Sequence, residues 1–172
     1  MRRLILLRHA KSDWPDGASD IDRPLAPRGR EAAPKIAAYL AAEGLIPDRV
    51  LVSPARRTQE TWDLVRPALG TVPDETVPQI YEAPVSRLLD VVRSIPDEVA
   101  TALMIGHNPG FQDLARLLSK PGDARRALTR KYPTAGIAVI DLPATAWGEV
   151  EAGEGEVERF VTPKTLGHGE DE

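Results

Sequence analysis

The chain contains no cysteine among its 172 residues. That excludes disulfide frameworks, thiolate nucleophiles, Cys-ligated zinc and iron–sulfur clusters. Histidine is scarce, at three residues, and aromatic residues make up only 5 %. No apolar run approaches the ~20 residues that a membrane-spanning helix requires. The basic start, Met1-Arg2-Arg3, leads into Leu4-Ile5-Leu6-Leu7, but this run meets Arg8 at once. It is too short for the core of a secretion signal, so a cytoplasmic protein is expected, with no membrane partner.

A strong charge of one sign is also missing. The formal net charge is −4, which makes no global case for nucleic-acid binding. The surplus is uneven. From Glu149 onward there are eight acids (Glu149, Glu151, Glu154, Glu156, Glu158, Glu170, Asp171, Glu172) against two bases, Arg159 and Lys164. The preceding 148 residues are therefore mildly basic, and the position of their arginines becomes the useful question.

What remains is ordinary globular material, 42 % hydrophobic and 28 % charged. Periodicity predicts short strands alternating with helices. The strands are Arg3–Leu7, Val50–Val52, a weak one at Val77–Tyr81, Thr101–Ile105, Gly136–Leu142 and Val157–Val161. Helical spacing covers Arg28–Glu43, with Pro34 arguing for a later start or a kink. A second helix is expected from a Ser53 cap and Pro54 to about Leu69, with Pro67 making its last turn doubtful. Further helices are expected over Val85–Ile95 and from Asn108-Pro109 onward. Residues 144–155, rich in Gly and Glu, read as a solvated turn. This alternation predicts an α/β protein: one three-layer α/β/α domain over residues 1–166 with a mostly parallel sheet. An acidic tail, 167–172, is expected to fray.

In open α/β sheets, ligands bind beyond the carboxyl ends of strands. Three expected strand ends carry chemistry: Arg8-His9, Ser53-Pro54-Ala55-Arg56-Arg57, and Gly106-His107-Asn108-Pro109-Gly110. Arginine forks match phosphoryl oxygens and stay charged. Imidazole, with a pKa near ~6.5, offers a neutral nitrogen near pH 7. Helix starts offer backbone N–H groups to an anion. Together they suit phosphoryl transfer, which depends on positioning and charge neutralisation. There is no Walker loop and no carboxylate cluster suggesting magnesium. Each piece alone is ordinary turn or cap chemistry; three in one domain are not. Of the paired arginines, Arg57 lies four residues after Ser53, on the same helix side as Thr61, whereas Arg56 points about 100° away toward solvent.

Leu7-Arg8-His9-Ala10, Ser53-Pro54-x-x-Arg57-x-x-x-Thr61 and Gly106-His107 resemble, in order and spacing, the motifs of the histidine phosphatase (phosphoglycerate-mutase-like) superfamily. Ala10 stands where that family most often has glycine. The closest resemblance is to the SixA-type phosphohistidine phosphatases. It rests on the short chain, Arg8-His9-Ala10-Lys11-Ser12, the loop Asp20-Ile21-Asp22-Arg23-Pro24-Leu25, the helix entry Pro27-Arg28-Gly29-Arg30-Glu31, and Tyr132-Pro133-Thr134-Ala135-Gly136.

The resemblance implies a phosphoglycerate-mutase-like α/β/α fold without a large cap insertion. It implies a metal- and cofactor-free phosphatase in which His9 carries a transient phosphoryl group. Arg8, Arg57 and His107 would hold the phosphoryl oxygens. Glu82 lies where the superfamily places its proton donor; a plain surface glutamate fits that position nearly as well. Ser12 and Asn108 are weaker candidates for phosphate contacts. The implied partner is a phosphohistidine-bearing protein, such as a histidine-containing phosphotransfer domain. A small phosphate monoester is the first alternative, and a non-catalytic phosphoprotein-binding module the second. Phosphate or sulfate would fit the site. No heptad seam is visible, so a monomer is expected.

Overall fold

The computed structural model describes residues 1–168. Six strands form one sheet: β1 (Arg2–Arg8), β2 (Arg49–Val52), β3 (Asp74–Thr76), β4 (Thr101–Gly106), β5 (Ile137–Leu142) and β6 (Glu156–Val161). Their spatial order is β3-β2-β4-β1-β5-β6. The pairs β3/β2, β2/β4 and β4/β1 are parallel. The pairs β1/β5 and β5/β6 are antiparallel. The sheet is thus mixed and mostly parallel. Five α-helices flank it: α1 (Pro27–Ala42), α2 (Arg56–Leu69), α3 (Val85–Arg93), α4 (Gly110–Leu118) and α5 (Asp123–Arg130). No inserted cap covers the carboxyl ends of the parallel strands among the described residues.

The continuous apolar run of β1 has a simple cause. Leu4 and Leu6 enter a core shared with Leu88, Val92, Phe111 and Leu114 of α3 and α4. Ile5 and Leu7 enter the opposite core, with Ile36, Leu40, Trp62 and Val65 of α1 and α2. A strand covered on both faces has no polar side to alternate with. All four side chains are fully buried, each contributing ~1.5–3 kcal/mol.

Several expected boundaries move. Helix α1 starts at Pro27 and passes through Pro34. Pro34 lies on the exposed face, where water can satisfy the carbonyl that proline leaves without a donor. Pro67 is likewise exposed, and α2 continues to Leu69. The weak strand at 77–81 is instead the short, fully exposed edge strand β3 followed by a 3-10 turn at Pro78–Ile80. Pro78 cannot donate to a ladder, and Asp74 and Glu75 suit a charged edge.

Residues 144–155 are not wholly solvated. A 3-10 turn at Trp147–Glu149 buries Trp147 completely, and its indole N–H donates to the Val99 carbonyl at 2.7 Å. Helix α5 has no counterpart in the sequence reading, because Leu128 is its one buried residue. Much of the acidic C-terminal region is the edge strand β6. Gly167 and His168 close a hydrogen-bonded turn onto Lys164 and Pro163. The remainder of the expected frayed tail, 169–172, lies outside the described residues.

Candidate active site

Register brings the three polar strand ends together. Arg8 pairs with Gly106, and Val52 with Ile105. The next amides continue the ladders: His9 N–H donates to Gly106 O at 3.0 Å, and Ser53 N–H to Ile105 O at 3.1 Å. Residues separated by about fifty positions each thus converge on one sheet edge.

His9 is 6 % exposed. Its Nδ1 lies 2.7 Å from the Ala10 carbonyl oxygen. A carbonyl can only accept, so Nδ1 carries the proton and Nε2 keeps its lone pair. The amide of Ala10 is held in turn by Thr61 Oγ1 at 3.1 Å, and Thr61 donates to the Arg57 carbonyl at 2.7 Å. Thr61 therefore links the turn after β1 to helix α2, on the side that also bears Arg57. On the other flank, Ala135 N–H is shared between the carbonyls of Arg8 and His9 at 3.1 and 3.0 Å. Ala135 adopts φ 60° to make this contact, a cost that alanine pays and glycine would not.

The His107 ring faces His9, with centroids 5.4 Å apart and planes at 54°. His107 Nε2 lies 2.7 Å from Ser53 Oγ. Ser53 was expected to cap α2. The helix instead begins at Arg56 with Ala55 as its cap residue, and the Ser53 hydroxyl orients the histidine while accepting from the Ala55 N–H at 3.3 Å. Burial pushes the His107 imidazolium down to about 3, reinforced by the nearby Arg57 charge. Burial likewise holds His9 well below its ordinary value, with His107, Arg8 and Arg57 adding to the effect. Both rings are neutral near pH 7 in the unliganded protein.

Arg57 is 6 % exposed and Arg56 is exposed, as the helical wheel requires. Arg57 Nη1 donates to the Asp20 carbonyl at 2.8 Å and Nη2 to the Asp20 carboxylate at 3.2 Å. Arg8 Nη1 donates to the Tyr132 carbonyl at 3.0 Å. Three buried polar atoms of this cluster, Arg8 Nε, Arg57 Nε and His107 Nδ1, have no hydrogen-bond partner among the described residues. Buried atoms of that kind are costly unless something satisfies them. Two arginines and two neutral imidazoles can together neutralise and orient a phosphoryl group.

The weaker candidates divide. Glu82 is exposed and adopts φ 51°. It lines, together with His107, Asn108, Pro84 and Leu88, a cavity of about 350 Å³. The structure therefore brings Glu82 to the same cavity as His107. Asn108 buttresses the site: its Nδ2 donates to the Tyr132 carbonyl at 2.9 Å and its Oδ1 accepts from Gln112 N–H at 3.2 Å. Helix α4 starts at Gly110, two residues after Asn108. Ser12 Oγ accepts from Arg23 Nη2 at 2.9 Å and so serves the loop. Among the described residues, no group of three or more His, Asp or Glu side chains is arranged to hold a metal ion.

Sequence reasoning did not find the roles of Asp20, Tyr81 and Tyr132. Tyr81 Oη donates to the Asp20 carboxylate at 2.5 Å and packs edge-on to His107, centroids 5.7 Å apart. The Tyr132 carbonyl receives both Arg8 and Asn108, while its hydroxyl donates to the Leu6 carbonyl. These contacts join residues too distant in the chain to form a local pattern.

Residues 4–112 match the histidine phosphatase superfamily (branch 1). An uncharacterized protein of Mycobacterium tuberculosis is 35 % identical over 162 residues, covering 92 % of this chain and all of the relative. Among solved structures, a candidate phosphohistidine phosphatase SixA from Nakamurella multipartitia superposes with a TM-score of 0.84 at 25 % identity, over 94 % of this chain and 96 % of that one. The protein histidine phosphatase SixA complexed with tungstate superposes with a TM-score of 0.80 at 26 % identity, over 95 % and 99 %. The chain belongs to the histidine phosphatase superfamily and has its phosphoglycerate-mutase-like fold.

Proposed function

We propose that this superfamily member hydrolyses phosphohistidine on a signalling protein, through a phosphoryl group carried transiently on His9. The observation that carries the reading is the hydrogen bond from His9 Nδ1 to the Ala10 carbonyl, which leaves Nε2 as the free nucleophilic nitrogen. It stands beside Arg8, Arg57 and His107.

In the first step, the Nε2 lone pair forms a bond to phosphorus. The P–N bond to the substrate imidazole breaks, and its electron pair stays with that nitrogen. A substrate ring protonated beforehand on its other nitrogen leaves as neutral imidazole. Water then attacks phosphorus, the P–Nε2 pair returns to His9, and phosphate departs with the water oxygen. Arg8, Arg57 and His107 stabilise the spread of negative charge on the phosphoryl oxygens. The arginines supply the neutralisation that magnesium provides elsewhere, and no step calls for a metal or cofactor.

The absence of a cap supports a protein-borne substrate, because an open sheet edge can meet another folded surface. The tungstate in the SixA relative supports a tetrahedral oxyanion as the group recognised. The deciding measurement compares kcat/KM for a phosphorylated histidine-containing phosphotransfer domain with that for a panel of small phosphomonoesters, in the presence of a metal chelator. Preference for the phosphorylated domain is expected. Preference for the small esters would overturn the reading in favour of a small-molecule phosphatase.

A further inference from the structure

Asp20 lies in the long loop between β1 and α1, at the start of a 3-10 turn, Asp20–Asp22. Its carboxylate does not point freely into water. Oδ2 accepts from Arg57 Nη2 at 3.2 Å and from Tyr81 Oη at 2.5 Å, and Oδ1 meets Arg23 Nη1 at 3.2 Å. Its backbone carbonyl takes the other Arg57 nitrogen at 2.8 Å. Arg23 is itself anchored, donating to Ser12 Oγ at 2.9 Å and to the Asp13 carbonyl at 3.2 Å, with its guanidinium over the Trp14 ring at 4.5 Å. The carboxylate is therefore a fixed charge, held from three sides.

Its place is consequential. Arg57 is one of the two arginines of the phosphoryl site and is nearly buried. A phosphate dianion on that guanidinium would share it with a carboxylate already hydrogen-bonded to Arg57, Tyr81 and Arg23. Charges separated by a few ångströms at the edge of a protein interact strongly. Asp20 also orients the guanidinium through two hydrogen bonds, so one residue both aims Arg57 and offsets part of its charge.

We propose that Asp20 is a positioning residue for Arg57 and the fixed anion that keeps inorganic phosphate loosely bound, so that the site empties after each turnover. This rests on the assignment of Arg57 to the phosphoryl site. The three donors that hold the Asp20 carboxylate pull it down to about 2, with Tyr81 the largest influence, so the charge is present at every pH where the protein works.

The test is calorimetric titration of inorganic phosphate into the wild-type protein, Asp20→Asn and Tyr81→Phe, with phosphate inhibition of turnover measured alongside. Asparagine keeps the shape, the backbone contact and an acceptor but removes the charge. Asp20→Asn is expected to bind phosphate about tenfold tighter, with inhibition strengthened to match. Tyr81→Phe removes a donor from the carboxylate, leaves more of its charge on Arg57, and is expected to weaken phosphate binding about threefold. A purely structural role would weaken binding in both variants.

Equal or weaker binding by Asp20→Asn overturns the proposal. If that variant does not fold, Asp20→Ala, which also removes the charge, decides: tighter phosphate binding supports the proposal, because a purely structural role would weaken it, and equal or weaker binding overturns it. A wild-type protein that neither binds phosphate nor hydrolyses a phosphoryl substrate refutes the phosphatase reading as well. One that does both, with Asp20→Asn unchanged, refutes only the role of Asp20.

Discussion

His9 and His107 face each other at 5.4 Å between ring centroids, each ring held by a single oxygen on one nitrogen: the Ala10 carbonyl for His9 and the Ser53 hydroxyl for His107. Two imidazoles so close, between two arginines, are stable only when uncharged. Neutrality is what a nucleophile needs and what a hydrogen-bonding partner to phosphate tolerates.

The first prediction concerns His9 itself. His9→Ala should lose turnover by at least about a thousandfold, because the covalent route is gone. Phosphate binding, measured by calorimetry, should survive because Arg8, Arg57 and His107 remain. Retained hydrolysis would remove His9 from the nucleophile's role.

Ser53→Ala removes the oxygen that orients His107. One hydrogen bond of this kind is worth ~0.5–1.5 kcal/mol net, so kcat/KM should fall roughly three- to tenfold. The melting temperature should fall as well, since the buried Ser53 Oγ also accepts from the Ala55 N–H at 3.3 Å, which alanine would leave unpaired.

The pH dependence follows from the depressed histidines. Below about 6.5 the unfolded chain takes up protons at both positions, while the folded protein resists down to about 3 at His107 and to well below 6.5 at His9. The unfolded state binds more protons in that window, so stability should fall as pH drops from 6.5 toward 3. Nuclear magnetic resonance of the ring carbons should show no protonation of His107 between pH 8 and 5, and no titration of His9 near 6.5, in the phosphate-free protein. Titration of either ring near 6.5 would contradict the burial argument.

Glu82 shares a cavity with His107, as a proton donor to a leaving group must. An alkoxide needs a proton as it departs, and general acids supply ~10²–10⁴-fold. Imidazole protonated beforehand does not. Glu82→Gln should therefore depress turnover of phosphomonoesters far more than that of phosphohistidine. Equal losses on both substrates would show that Glu82 is no leaving-group acid.

Trp147 tests the packing. Its indole is fully buried and donates to Val99. Trp147→Ala should cost ~3–5 kcal/mol in urea unfolding, with little effect on KM because Val99 precedes the opposite end of β4 from His107.

Much of this protein was legible in its sequence, and the reason is local. The unbroken apolar run Leu4–Leu7 announces a strand covered on both faces. His9 and His107 follow their strands directly, so knowing the strands places the histidines. The 3.6-residue period separates Arg57 from Arg56 without any coordinates. Boundaries were less legible at Pro34 and Pro67, because whether proline ends a helix depends on which face it occupies. Helix α5 and the Trp147 turn left no periodic trace, since each buries a single large side chain against distant elements.

The sequence by itself determined the alternation of strands and helices and the set of residues available at the strand ends. Only the tertiary structure decided how they are used. It turned Ser53 from a cap into the partner of His107, and Asn108 into a strut beneath Tyr132. It also laid the Asp20 carboxylate on Arg57, 37 positions away. The physical reason is that periodicity and capping depend on neighbours within about one helical turn. Hydrogen bonds that orient a site depend on the sheet order β3-β2-β4-β1-β5-β6, which no short stretch of chain encodes.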